Sequence, residues 1–401
     1  MRSFRERYAA LNPENRKAVA KPTSGIPIEA IEAGGFRRNR AGEVFVSESR
    51  HVDARVLALL ERPIVASQLH FKQSLNGGVR PDEMLFLDTE TTGLAGGTGT
   101  NAFLIGLGYF DGTAFRLQQY FLRSPAEERA MLEELRDLFS AFPVLVTFNG
   151  KSFDWPLLDT RFLMHGYRLD FNFTHLDLLH PARRIWKHRL ASCSLTSLER
   201  EIYGIERVGD VPGYLIPQLY FDYLRDGDAR RLQSVFSHNR ADIVTLACLL
   251  ETLLQLEAEP ERVLRYAEDR VGLALSLIAA GDLERARRLL TEVLPAAGLD
   301  PALKRRAQKE LWLLLRRAGR AHEGLTLLET MCDETVGSRT VDLFPYLELA
   351  KYFEHIARDY RAAERIVERA IRMIDLAGRR TERADLIYRL NRIQRKQRSV
   401  F

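Results

Sequence analysis

The sequence predicts an α/β domain, a mixed sheet with flanking helices, followed by an all-α helical-repeat domain. Three observations carry that reading. Met84-Leu85-Phe86-Leu87 and Pro143 to Phe148 are compact apolar runs of strand length. Helical patterns alternate with strand patterns as far as Leu256, the order of a sheet covered by helices. After about Ala258 strand signals vanish, and short turns recur between amphipathic segments. A chain of 401 residues is also too long for one comfortable core. The expected division is an N-terminal extension over 1–80, the sheet domain over 81–257 and the helical repeats over 258–401.

The first eighty residues show no clear period. Pro, Gly and charge are scattered from Lys21 to Glu43, and only Val52 to Leu60 reads as a short helix. Met84 to Leu87 reads as a buried strand. Ala102 to Phe110 and Ala114 to Leu122 read as two more, joined by the turn signal Asp111-Gly112. Pro125 through Phe139 has helical spacing, with Ser124 as N-cap and Pro125 in the first helical position. The buried strand Pro143 to Phe148 follows, then a helix beginning near Phe153. Later helices span Leu195 to Tyr203 and Arg231 to Leu256. In the last third, Ala280-Gly281-Asp282-Leu283, Ala318-Gly319-Arg320-Ala321 and Arg358-Asp359-Tyr360 are turns between helices. Each leads to a small residue, Ala286, Gly324 or Ala363, that permits close packing. The pattern resembles the tetratricopeptide repeat in its turns and small positions, without the full consensus.

Composition narrows the classes. Hydrophobic content of 46% and charged content of 28% describe an ordinary globular chain. Cys193, Cys248 and Cys332 lie far apart with no C-x-x-C spacing, which argues against a disulfide framework or zinc cluster and fits a reducing compartment. No apolar run follows Met1, and no long uncharged apolar stretch occurs later. A cytoplasmic protein without signal peptide or membrane span is expected. The net charge of +5 fits a polyanionic partner without requiring one. Basic residues crowd at Arg183-Arg184, Lys304-Arg305-Arg306, Arg316-Arg317 and Arg392 to Arg398, each reading singly as a solvated helix face.

The strongest chemical signal is Asp88-Thr89-Glu90-Thr91-Thr92-Gly93-Leu94 behind the first buried strand. Alternate side chains of a strand share a face, so Asp88 and Glu90 lie about 7 Å apart on one side. Such a pair at a buried strand end is costly unless a cation relieves it, and hard oxygen donors suit Mg²⁺ or Mn²⁺. Two further acids complete the set. Asp154, in Asn149-Gly150-Lys151-Ser152-Phe153-Asp154, follows the second apolar strand at a helix start. Asp242, in His238-Asn239-Arg240-Ala241-Asp242, lies in the long helix one turn beyond His238. Singly, an Asp at a helix start is a cap and a His-Asp pair is structural. Their order along one chain is what carries weight.

These three segments resemble the exonuclease motifs of the DnaQ-like, or DEDD, superfamily, which has the ribonuclease-H fold. The string Gly93-Leu94-Ala95-Gly96-Gly97-Thr98-Gly99-Thr100 and the segment His175-Leu176-Asp177-Leu178-Leu179-His180-Pro181 resemble its YprB-like bacterial branch. The resemblance spans about Met84 to Leu256. It implies a metal-dependent 3′–5′ exonuclease acting on single-stranded or frayed DNA or RNA ends. It further implies two divalent cations, Mg²⁺ or Mn²⁺, with Asp88, Glu90 and Asp242 holding the first and Asp88 also touching the second. Asp154 would act mainly through metal-bound water, and a metal-activated water would attack the phosphodiester. His238 departs from the pattern. One branch carries a His five residues before the last Asp, the other a Tyr four before it, and here a His stands at the Tyr spacing. A near-neutral imidazole suits proton transfer, and His238 is counted with the catalytic set.

Weaker signals fill in the surroundings. Thr91, Thr92, Gly93, Leu94 and Asn149 are candidate contacts to a terminal nucleotide, as is Asn101, with turn chemistry as the alternative. Gly150-Lys151-Ser152 lacks the upstream glycine of a phosphate loop, because Leu145 stands there. Phe148, Phe153 and Trp155 read as core rather than as base-stacking rings. Asp177 reads as a structural acid near the site. Ser192, Ser194 and Ser197 have no nucleophile arrangement. The competing readings are a catalytically weak nucleic-acid-binding module and a scaffold whose repeats recruit a protein partner.

Overall fold

The computed structural model describes residues 25–61, 78–93, 99–112, 114–169, 173–335, 342–376 and 381–398. The chain divides into two compact units, Met1–Leu264 and Arg265–Phe401. The first is built on a 7-stranded sheet. Its strands are β1 (Gly34–Asn39), β2 (Gly42–His51), β3 (Met84–Thr91), β4 (Ala102–Phe110), β5 (Phe115–Phe121), β6 (Val144–Thr147) and β7 (Thr174–Asp177). Across the sheet their order is β1-β2-β5-β4-β3-β6-β7. The pairs from β1 through β3 are antiparallel, whereas β3–β6 and β6–β7 are parallel, so β3 lies where the sheet changes character. This is the ribonuclease-H-like mixed sheet with flanking helices.

Strand β3 follows from its sequence. Met84 to Leu87 are buried at 1% exposure or less, and the carboxylates arrive where burial relaxes. A register shift between Glu90 and Thr91 ends the regular pairing with β4. The region expected as an extension corrects the sequence reading: Gly34 to His51 forms the β1–β2 hairpin, which extends the sheet through β5. Its turn is closed by Asn39 Oδ1, which accepts the Ala41 amide at 2.9 Å. Residues 1–24 and 62–77 of that stretch lie outside the described residues.

Among the described residues the α-helices of this unit are α1 (Ala54–Leu57), α2 (Glu128–Ala141), α3 (Asp154–Met164), α4 (Leu179–Trp186), α5 (Leu195–Leu198), α6 (Ile216–Asp226), α7 (Gln233–Ala258) and α8 (Pro260–Val263). Helix α3 is clamped to α2 by a buried ion pair: Glu128 takes two guanidinium N–H groups of Arg161 and contacts His165 at 2.7 Å. Helix α7 packs over β3, β4 and β5. Two glycines of β4 set how closely it approaches. A Cβ on Gly106 would come within 2.1 Å of Asn239 Oδ1, and one on Gly108 within 2.6 Å of Ile243. Asp88 pairs with Gly106 across the β3–β4 ladder, so it faces the same helix.

The described residues of the second unit form helices α9 (Ala267–Ala280), α10 (Leu283–Val293), α11 (Pro301–Arg317), α12 (Leu325–Thr335), α13 (Phe344–His355), α14 (Tyr360–Leu376) and α15 (Arg383–Arg398). The three turns read from the sequence hold Gly281, Gly319 and Arg358 in the left-handed region. Ala286 and Ala363 are fully buried, and a Cβ on Gly324 would meet the Trp312 ring at 2.7 Å. Small side chains stand there because the neighbouring helix occupies the space. No helix among the described residues is long and apolar enough to cross a membrane.

Candidate metal centre

Three elements bring the four acids together. Asp88 and Glu90 come from β3, Asp154 opens α3, and Asp242 comes from α7. Burial raises the pKa of every one of the four, and repulsion among them registers at Asp88 and Glu90. Burial raises the Asp88 pKa well above the ordinary carboxylate range, and repulsion from Asp242, Glu90 and Asp154 adds to it. Glu90 is raised by burial and by Asp242, Asp154 and Asp210, against the pull of Arg207. Burial pushes Asp154 up to about 6 although the Thr89 hydroxyl donates to it. Asp242 is raised by burial and held back by Arg207 and His238. Carboxyls pressed together in this way favour a cation among them.

Neutral partners fix their geometry. Asn239, fully buried on α7, donates through Nδ2 to Asp88 Oδ2 at 2.9 Å. Its own Oδ1 accepts from Gln119 Nε2 at 2.9 Å, and Gln119 also reaches the Phe236 carbonyl. Gly106 is therefore the residue that leaves room for the amide orienting Asp88. Asp177 holds the loop leading to Asp154: it accepts the amides of Asn149 at 2.8 Å, Lys151 at 3.1 Å and Leu179 at 3.1 Å. Asn149 sits at φ 66°, a conformation those bonds stabilise.

A cationic arm closes the other side. Arg207 bonds both oxygens of buried Glu199 at 2.6 Å and reaches Asp242 Oδ1 at 2.5 Å. Burial alone would lower its pKa, but these carboxylates raise it above the usual arginine value. His238 Nδ1 lies 2.7 Å from Asp210 Oδ1. Its Nε2 turns inward, 3.4 Å from Asp242 Oδ2 and 4.0 Å from Glu90 Oε1. Glu90, His238 and Asp242 each offer a ligand atom within 4.8 Å of the others. Hard oxygens plus one imidazole form a donor set that suits a divalent cation.

All five residues of the expected catalytic set thus converge. Of the expected nucleotide contacts, Asn149 lines a cavity of about 730 Å³ that opens beside Asp88 and Asp242. Thr91 and Thr92 have local partners instead: Thr91 donates to the Gly93 carbonyl at 2.9 Å, and Thr92 accepts the Asn101 amide at 3.0 Å. Asn101 itself donates to Glu128. Leu94, with Ala95 to Thr98 of the glycine string, lies outside the described residues. Trp155 packs edge-on against Phe139 and Phe173, whereas Phe153 is 59% exposed beside Asp154, contrary to its expected place in the core. Sequence reasoning missed Arg207, Asp210, Glu199 and Asn239. The only signal for Asn239 was its place one residue after His238.

A family model described as the RNase_H superfamily matches residues 85–254, the span that holds all four acids. The chain is also 31% identical over 328 residues to the uncharacterized protein YprB of Bacillus subtilis (strain 168), covering 80% of this chain and 77% of that one.

Proposed function

Because the chain belongs to the ribonuclease-H-like family that includes YprB, we propose that it is a divalent-cation-dependent nuclease, and specifically a 3′–5′ exonuclease on single-stranded or frayed nucleic acid. The observation that carries this reading is the convergence of Asp88, Glu90, Asp154 and Asp242 from three elements into one largely buried cluster. Charge balance supports two cations, Mg²⁺ or Mn²⁺. With Glu199 and Asp210 the cluster holds six carboxylates, opposed by the Arg207 guanidinium. Most of the remaining negative charge is what two divalent ions would neutralise.

Asp88, Glu90 and Asp242 would hold the first ion, with Asp88 and Asp154 turned toward the second. Bound cations would polarise the phosphodiester and make a nucleophile of water at neutral pH. The chain does the positioning. Asn239 fixes the Asp88 carboxylate, Arg207 holds one oxygen of Asp242, and Asp177 secures the loop before Asp154. The adjoining cavity carries Arg183 and Lys187, cations suited to the phosphates of a strand end. The helical hairpins of the second unit support an additional role in recruiting a protein partner, as tetratricopeptide-like arrays do.

An oligonucleotide labelled at its 5′ end, incubated with Mn²⁺ or EDTA, tests the reading. Stepwise shortening that retains the label and stops in EDTA is expected. Asp88→Ala should abolish it, and undiminished turnover in that variant would overturn the metal assignment.

A further inference from the structure

We infer that His238 is itself a metal ligand through Nε2, so that the first cation site is a mixed oxygen–nitrogen site preferring Mn²⁺ over Mg²⁺. The inference rests on the nuclease reading and names the donor set of the same centre.

Tautomer is the first argument. Asp210 Oδ1 lies 2.7 Å from His238 Nδ1, and a carboxylate oxygen at that distance favours the tautomer with its hydrogen on Nδ1. In the neutral ring the lone pair then sits on Nε2, the atom that faces the acids. Arg207 Nη1, 3.5 Å from Nδ1, cannot donate to a nitrogen already carrying hydrogen. A carboxylate gripping the far nitrogen of an imidazole is the outer-shell arrangement that orients histidine ligands and raises their basicity.

Spacing is the second. Donors each about 2.1 Å from a shared ion lie about 3.0 Å apart when adjacent in an octahedron and about 4.2 Å apart when opposite. Nε2 is 3.4 Å from Asp242 Oδ2 and 4.0 Å from Glu90 Oε1, both inside that range. The third argument is the division of Asp242. Arg207 takes Oδ1, leaving the Oδ2 edge, on which His238 converges, for an ion. The His238 side chain is only 14% exposed, so little solvent competes for Nε2.

The chemistry follows. Carboxylate and water donors suit Mg²⁺ and Mn²⁺ alike, and an imidazole nitrogen moves preference away from Mg²⁺ along the divalent series. Ligation and general-base action also exclude each other while the ion is bound, since one lone pair cannot serve both.

Pulsed electron paramagnetic resonance of the full-length protein loaded with Mn²⁺ decides the matter. A nitrogen coupling is expected in the parent, changing to the ¹⁵N pattern when histidine alone is ¹⁵N-labelled and vanishing in His238→Ala. Asp210→Asn should weaken Mn²⁺ binding about 10- to 100-fold, and His238→Ala should narrow the preference for Mn²⁺ over Mg²⁺ in calorimetric titration. If His238→Ala does not fold, the spectrum of the labelled parent suffices to accept or reject the ligand. Bound Mn²⁺ with no histidine coupling, or coupling that persists in folded His238→Ala, overturns the ligand assignment while leaving the nuclease reading intact. A protein that binds no Mn²⁺ and whose hydrolysis, if any, ignores EDTA overturns both.

Discussion

Glu90→Gln should make the protein more stable without metal and less stable with it. Glu90 and Asp242 offer ligand atoms within 4.8 Å of each other, and their side chains are 12% and 13% exposed. Fully ionised, they would repel by roughly 3 kcal/mol at an effective dielectric of about 20, and the raised pKa of each group relieves part of that. Glutamine keeps the shape and removes the charge. It also gives up attraction to Arg207, which leaves a net gain of about 1–2 kcal/mol in EDTA. At about 2–4 °C per kcal/mol for a domain of this size, the melting temperature should rise by about 2–8 °C. Saturating Mn²⁺ should reverse the order. At a hundredfold excess over its dissociation constant, a cation stabilises the parent by about 2.7 kcal/mol, a gain the variant largely loses with its ligand. Differential scanning fluorimetry of both proteins, in EDTA and across a Mn²⁺ titration, reads the crossing directly. A variant that melts lower than the parent in EDTA, and gains as much from Mn²⁺, would refute the electrostatic account of the site.

Other perturbations probe the supports. Gly106→Ala drives a Cβ to 2.1 Å from Asn239 Oδ1, so it should cost about 1–3 kcal/mol in thermal unfolding and depress hydrolysis by displacing the amide that holds Asp88. His175, bonded through Nε2 to Thr147 Oγ1 at 2.8 Å, has its pKa lowered by burial from 6.5 to about 4. Between those values the unfolded chain binds the proton and the folded chain does not, so stability falls as pH drops through that window, by up to about 3 kcal/mol. His175→Gln should flatten that part of the melting-temperature profile, and an unchanged slope would exclude His175 as its source. Truncation after Leu264, where the two compact units divide, should leave cation-dependent hydrolysis in the remaining protein. Loss of hydrolysis in a folded truncation would tie the helices to catalysis.

What the sequence disclosed was set by local period. Met84-Leu85-Phe86-Leu87 announces a buried strand in four residues, and the acids behind it inherit their face from alternation alone. The long helix was legible from its apolar spacing, and with it the shared face of His238 and Asp242. The β1–β2 hairpin was not. Every β1 residue is at least partly exposed, and its strand state depends on pairing with β2, which in turn pairs with the distant β5. The short apolar run Val44-Phe45-Val46 was a usable signal that the surrounding Gly and charge obscured. Strand β7, Thr174-His175-Leu176-Asp177, has one apolar residue in four, so it lacks the continuous apolar run that revealed β3 and β6. Phe153 was misplaced because an aromatic before a helix gives no indication of which way its ring turns.

Arg207 raises the sharpest objection to a metal centre, since a buried guanidinium could neutralise the acids and make cations redundant. Its bonding argues otherwise. Both Nε and Nη2 are committed to Glu199, whose Oε1 also accepts the Thr245 hydroxyl. One positive charge is thus already opposed by a full carboxylate before Asp242 is counted. The contact to Asp242 Oδ1 orients that group more than it neutralises it, and Asp88, Glu90 and Asp154 all keep raised pKa values with Arg207 in place. Burial is the first cause of those raised values, and at Asp88 and Glu90 repulsion from neighbouring acids adds to it with Arg207 in place. The residual repulsion is the reason to expect cations here.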